Sequence, residues 1–320
     1  MKKGSFFAAS ILTAVGAVLF AAAFIASGFD FSKLDTAEYE TNTYTPDGAF
    51  ETIEIRTYEA DITFKPSEDG KLRVDCVERK KVRHEVSVEN GSLKVTAADR
   101  RTWYDRLTLF SLRPQSVTVY LPSGHYAALT ITTDTGDVSV PAAFSFGNAE
   151  ITASTGDAAF SAPVDGFLRI RTSTGDIGID EARADSIDLS VSTGRIDIKN
   201  VSCNKTLSFN VSTGDAVLTD VACRTLLTTG TTGDVSLKNV IASDDLTIER
   251  GTGDVRFENC DAGQITVRTS TGDVTGTLLT EKVFVTDSST GDISVPDTVS
   301  GGRCGITTST GSIAIDIIKP

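Results

Sequence analysis

Histidine is almost missing from this chain. Only 2 histidines stand among 320 residues, with 5 cysteines, one methionine and one tryptophan. The histidines, His84 and His125, lie outside the repeated region described below. The cysteines, Cys76, Cys203, Cys223, Cys260 and Cys304, contain no Cys-x-x-Cys pair. That spacing excludes the common zinc-ribbon and finger arrangements, and no metal ligand set or cofactor motif is read from the sequence. An odd number of cysteines also excludes a complete disulfide framework in an exported chain, so these residues are expected to be small buried hydrophobes. Positive charge is in deficit, with 30 Lys and Arg against 43 Asp and Glu and a net charge of −13. A phosphate backbone would be repelled, which excludes nucleic acid as a partner. The positive residues that do cluster, at Arg79, Lys80, Lys81, Arg83 and at Arg100, Arg101, Arg106, read as a solvated face.

Long uncharged runs are absent too, with one exception. From Gly4 to Phe29 no charged residue occurs, and Lys2 and Lys3 precede the run. A bilayer core needs about 20 apolar helical residues. Residues 1–29 are therefore expected to form a single transmembrane anchor with its N-terminus cytoplasmic, by the positive-inside rule. The remainder would then be extracytoplasmic. The competing reading is a signal peptide cleaved near Ala26-Ser27-Gly28, giving a secreted protein, although the run is longer than the usual apolar segment of such peptides.

What the chain has in abundance is one tripeptide. Thr-Gly-Asp or a close variant centres on Gly136, Gly156, Gly175, Gly194, Gly214, Gly233, Gly253, Gly272, Gly291 and Gly311, always 19 or 20 residues apart. The residue before the glycine is Thr in every unit. The residue after it is Asp at Asp137, Asp157, Asp176, Asp215, Asp234, Asp254, Asp273 and Asp292, with Arg195 and Ser312 as exceptions. Apolar residues recur two and four places after the glycine, as at Val138 and Val140, and seven and five places before it, as at Leu129 and Ile131. Alternation with period 2 on both sides of a turn means two strands that face one interior. Glycine supplies the backbone freedom at the corner, and Asp and Thr can fix it by bonding neighbouring backbone. A further apolar position seven places on, at Val201, Val221, Val240, Cys260, Leu279 and Ile318, implies a third side.

Single units of this size cannot bury a core, so they must stack. The expected fold is all-β: a single-stranded parallel β-solenoid, or β-helix, of about ten coils of 19–20 residues, roughly 50 Å long at ~4.8 Å per coil. Stacking predicts ladders. Six places after the glycine stand Asn200, Asp220, Asn239 and Asn259, an expected Asx ladder at a second corner. Cys203 and Cys223 share one position in consecutive units, so they should lie within disulfide range. In the Gly291 unit, Val283 and Val285 are displaced by one residue from their counterparts, which predicts a β-bulge.

Residues 129–320 carry the regular repeats, and 50–128 read as a degenerate β cap with the first coils. Ile53, Ile55, Ile62 and Phe64 sit around Ala60 at the repeat spacing, followed by alternating stretches separated by Glu68-Asp69-Gly70 and Glu89-Asn90-Gly91. Residues 30–49 read as a polar linker. Asp99 to Arg113, with Trp103, Tyr104 and Phe110, break the alternation and are expected to form a loop that covers the solenoid end or offers a contact site.

The Ser-Thr-Gly-Asp-Ile/Val repeat, the lead-in Val119-Tyr120-Leu121-Pro122 and the apolar N-terminus together resemble a bacterial "putative adhesin" family of β-strand repeats of unknown function. Some of its members look like the membrane-anchored accessory protein of Lia-type envelope-stress operons. The resemblance spans about residues 50–320 and implies a β-solenoid at the cell envelope, with no defined catalytic residues. The expectation is therefore a non-enzymatic, membrane-anchored binding or structural module facing an envelope polymer, a glycan or a protein. The alternative is a carbohydrate-active β-helix enzyme that uses paired carboxylates from the Asp ladder. Calcium bridging that ladder is a further alternative to simple turn capping.

Overall fold

A computed structural model describes residues 13–16, 18, 22, 25, 38–99 and 115–318. The expected anchor, 1–29, falls almost wholly outside these residues, as do Trp103, Tyr104 and Phe110. No helix among the described residues is long and apolar enough to cross a membrane. The rest is all-β: a parallel β-solenoid of about ten turns.

The glycine-centred coils stack as their apolar pattern requires. Val138 pairs with Ala158, and Ala158 with Ile177, in parallel register. All three are at most 2% exposed. On the side preceding the glycine, Ile151 pairs with Ile170, and Ile170 with Leu189. Each layer thus covers the apolar residues of the next, and the backbone hydrogen bonds run between layers. The alternation of 19- and 20-residue coils is absorbed at the third corner. There the register shifts by one residue between Cys203 and Thr206, between Cys223 and Leu226 and between Ala242 and Asp245.

The layers do not follow chain order at the ends. The strand before Gly272 pairs with Gly302–Thr310, the strand before Gly311. That strand pairs in turn with Lys282–Thr290, the strand before Gly291. The last coil in the sequence therefore lies between the Gly272 and Gly291 coils. This corrects the expectation that every unit lies over its predecessor: Thr-Gly-Asp fixes the shape of a layer and not the identity of its neighbours. The Gly291 coil is the outermost layer, and its Ile293 is 45% exposed. It contains no bulge either, since Lys282–Thr290 pairs in unbroken register. Phe284 and Thr286 face inward, opposite Cys304 and Ile306, and Val283 and Val285 face solvent. Leu279 and Ile318, expected inside, are about two-fifths exposed, and Leu278 takes the place opposite Cys260. The preceding Gly276, at φ +134° against the Phe257 carbonyl, accompanies the slip.

The other end repeats the exchange. Strand β1 spans Tyr39–Tyr44, β2 Thr52–Pro66, β3 Arg73–Arg79, β4 Val82–Glu89, β5 Ser92–Asp99 and β6 Gln115–Leu121. As expected, β2 forms a coil whose Ile53, Ile55 and Ile62 stack on Leu129, Ile131 and Val138. On its other face lie β5 and β6, also parallel, with Leu93 opposite Ile53 and Val117 opposite Ile62. Thus the first coil is also covered by the second. Beyond it β3 adds antiparallel to β6, β4 antiparallel to β5, and β1 antiparallel to β3. These strands close the parallel edge. Part of the expected 30–49 linker is accordingly a strand of the cap. The Glu89-Asn90-Gly91 turn joins β4 to β5, with Asn90 at φ 53° and Gly91 at φ 74°, the pair of positive angles that a tight hairpin requires.

Candidate functional site

The corner that carries the tripeptide is the most regular polar feature of the rod. At Gly214 the backbone has φ 132°, and an added Cβ would lie 1.9 Å from the Gly194 carbonyl oxygen. Only glycine allows layers to approach this closely. Backbone bonds cross the corner, from Gly136 N to Thr155 O at 3.0 Å and from Val138 N to Asp157 O at 2.8 Å. The aspartates then act in sequence. The Asp157 amide donates to Asp137 Oδ1 at 2.8 Å, Asp176 to Asp157 at 2.8 Å, Asp254 to Asp234 at 2.8 Å and Asp273 to Asp254 at 2.8 Å. The ladder extends to the first coil, where the Asp137 amide donates to Asp61 Oδ1 at 3.0 Å. At the other end the Ser312 amide donates to Asp273 Oδ1 at 2.7 Å, as the exchanged layer order demands. Arg195 interrupts the run, because its side chain has no carboxylate to offer the next layer. From Asp137 to Asp273 these Asp residues are exposed and Asp61 is half-buried, and one oxygen of each acceptor holds the neighbouring coil.

The Asx ladder forms as expected at the second corner. Asn200, Asp220, Asn239 and Asn259 all adopt φ between 52° and 56°, the left-handed region that Asn and Asp tolerate best. Asn239 Nδ2 donates to Asp220 Oδ1 at 2.7 Å, and Asn259 Nδ2 to Asn239 Oδ1 at 3.2 Å. Cys203 and Cys223 are direct register partners, both buried and both free thiols. Burial, and then the neighbouring Cys203, pushes the Cys223 thiol up to about 12.

The threonines before each glycine, from Thr135 to Thr310, are all exposed. With the Ser and Thr residues beside them they form hydroxyl columns along the rod. Paired charges interrupt this face: Arg169 with Asp188 at 2.9 Å and Arg268 with Glu249 at 3.1 Å. No walled cleft isolates any of these carboxylates among the described residues. A groove near the C-terminal end, about 520 Å³, has Lys282 and Asp261 in its lining, and these pair at 2.6 Å. His125 lies 3.2 Å from Ser145 Oγ and 3.9 Å from Asp165 Oδ2, but through the same Nδ1. A serine relay needs the two ring nitrogens to serve different partners, so this trio is not one.

Two polar features escaped the sequence. Arg250 points inward and is 4% exposed, and its Nη1 donates to Val211 O at 3.0 Å. The guanidinium fills the space over Gly230, where an added Cβ would lie 1.7 Å from Nη1. Burial lowers its pKa, against the opposing pull of Asp215 and Asp234. The adjacent departures from the repeat, Gly230 and Arg250 in successive coils, were the signal. The second feature lies in the cap. Glu78, fully buried, accepts from Asn42 Nδ2 at 2.7 Å, Tyr44 OH at 3.2 Å and the His84 backbone N–H at 2.5 Å. His84 Nδ1 lies 2.7 Å from Glu78 Oε2, with Cys76 beside them. Burial and then Glu78 push the Tyr44 hydroxyl up to about 12.

Stacked parallel coils closed at one end by antiparallel strands define a β-solenoid domain. The sequence pattern of the Toastrack DUF4097 family matches residues 50–215 and again residues 204–319, and the chain belongs to that family, whose function is unknown. Solved structures are similar to this chain at low identity. A protein described as a "putative lipid binding protein" from Parabacteroides distasonis has a TM-score of 0.50 and 18% identity, over 76% of this chain and 98% of that one. A "putative adhesin" from the same species has 0.49 and 14%, over 76% and 98%. Another from Bacteroides fragilis has 0.47 and 14%, over 87% and 97%. No curated protein matches the sequence.

Proposed function

We propose that this protein is a non-enzymatic envelope module: a rod held at the membrane by residues 1–29 that presents its polar face to an extracytoplasmic polymer, glycan or protein. One observation carries the reading. The exposed Thr column continues from layer to layer, with Asp ladders on either side of Arg195 and a four-coil Asx ladder along the same rod, without a walled cleft among the described residues, and the bonded Asp carboxylates cap the next coil. Such a surface offers many equivalent hydrogen-bonding positions at the layer spacing of ~4.8 Å, which suits an extended ligand better than a single bond to be cleaved. A glycosidase would need two carboxylates held across a sugar-sized gap. The "putative adhesin" descriptions of structural neighbours agree in kind. The uncharged run from Gly4 to Phe29 behind Lys2 and Lys3 supports the anchor.

The test combines location and binding. Intact cells expressing the full chain are treated with external protease, and the purified chain is titrated with isolated wall polymers and glycans. The proposal expects external cleavage of the rod and saturable binding to at least one polymer class without its breakdown. Protection of the rod in intact cells, or catalytic turnover of a glycan, would overturn it.

A further inference from the structure

We propose that Cys76, Glu78 and His84 form a binding site for one divalent transition-metal ion, zinc by donor type, that fastens the N-terminal cap. The three ligand atoms lie within 4.8 Å of one another, and all three residues are buried. Their convergence follows from the strands. Cys76 and Glu78 are two residues apart on β3 and so face the same side, and His84 comes from β4 across the short Lys80-Lys81 turn.

Thiolate, carboxylate and imidazole are the donors zinc takes, at about 2.0–2.3 Å in tetrahedral geometry. Sulfur and nitrogen donors disfavour calcium and magnesium. In their ligating forms Cys76 and Glu78 carry two negative charges and His84 none, which balances a divalent ion in a buried place. The surroundings resemble an outer shell. Asn42 Nδ2 and the Tyr44 hydroxyl both bond Glu78 Oε1, while Oε2 accepts the His84 backbone N–H at 2.5 Å and faces His84 Nδ1 at 2.7 Å. Such contacts fix the orientation of a ligating carboxylate. Tetrahedral donors stand roughly 3.3–3.7 Å apart at those bond lengths, so closing on the ion requires movements of about an ångström. Access is through β1, which supplies Asn42 and Tyr44 and among the described strands pairs only with β3. An edge strand of this kind can open locally. The ion would then join β1, β3 and β4, the strands that close the solenoid. This role is independent of what the rod binds.

The full chain, kept reduced in mild detergent and stripped with chelator, is titrated with cobalt(II) and then zinc. The site predicts uptake of one cobalt per chain with a thiolate-to-cobalt band in the near ultraviolet, displacement by zinc and a higher Tm. Cys76→Ser should remove the band and weaken binding at least tenfold. A chain whose Cys203, Cys223, Cys260 and Cys304 are replaced by alanine should keep the band, and this decides the matter even where Cys76→Ser fails to fold. Absence of stoichiometric uptake by the wild-type chain, a cobalt spectrum lacking the sulfur band, or loss of the band in the chain that keeps only Cys76 would overturn the proposal.

Discussion

At the scale of the residue, the tripeptide acts through its backbone. Asp234 Oδ1 holds the Asp254 amide at 2.8 Å, and removing it leaves that donor to solvent. Asp234→Ala should therefore destabilise the rod by about 1 kcal/mol, measured by denaturant unfolding. The carboxylate introduced by Arg195→Asp should restore the missing rung and stabilise by a similar amount. An unchanged midpoint in both variants would contradict the capping role. The buried acids give a pH dependence. The Cys223 and Cys304 thiols are each pushed up to about 12, by burial first in both cases. Their folded forms hold protons that an unfolded chain releases from about pH 9. The folded state therefore binds more protons between about pH 9 and 12, and stability must fall as pH rises through that window. Thermal melts from pH 8 to 11 should show a declining Tm. A flat profile would contradict the burial of these groups.

At the scale of the element, the sequence shows how a layer is made and leaves its neighbours open. Val138, Ala158 and Ile177 could be placed in one interior because every layer must solve the same packing problem, and the repetition makes the solution visible. The Asx ladder and the Cys203–Cys223 pairing followed from register alone. The exchanged terminal coils could not be read, because the Gly291 and Gly311 units satisfy the same pattern and either fits over Gly272. Val283 and Val285 misled for a related reason: on the outermost layer apolar side chains need not face inward. In the cap, antiparallel and parallel strands share period-2 alternation, so β3 and β4 resembled further coils. The convergence of Cys76, Glu78 and His84 depends on that topology and was hidden with it. The exchange has a mechanical consequence. Lys282–Thr290 pairs only with Gly302–Thr310, and Ile293–Ser294 only with Ile313–Ile317, among the described strands. A chain ending at Pro296 should thus lose the Gly291 coil as well, since that coil would face a missing layer. Hydrogen exchange should show its amides unprotected, with the Gly233 coil still protected. Protection of residues 282–294 in the truncated chain would contradict the exchange.

At the scale of the whole molecule, one end is closed by antiparallel strands and the other by the Gly291 coil, laid down beyond a gap that the last coil then fills. In both cases the coil nearest the chain end in sequence lies inside the stack, held on two faces. At the C-terminal end, fraying then begins with the Gly291 coil and not with the last coil in the sequence, which is a physical reason for a repeat protein to depart from chain order. The order of layers is the claim on which the ladders, the closed ends and the continuous polar face all rest. It is tested most directly by paired cysteines in the exposed threonine column, where Thr271 is the register partner of Thr310, and Thr310 of Thr290. Adjacent layers place Cα atoms about 4.8 Å apart, and layers once removed about twice that, beyond the ~7 Å limit for a disulfide. Under mild oxidation, Thr271→Cys with Thr310→Cys should form an intramolecular disulfide, and Thr271→Cys with Thr290→Cys should not. The reverse result would mean that the coils stack in chain order and that the account is wrong.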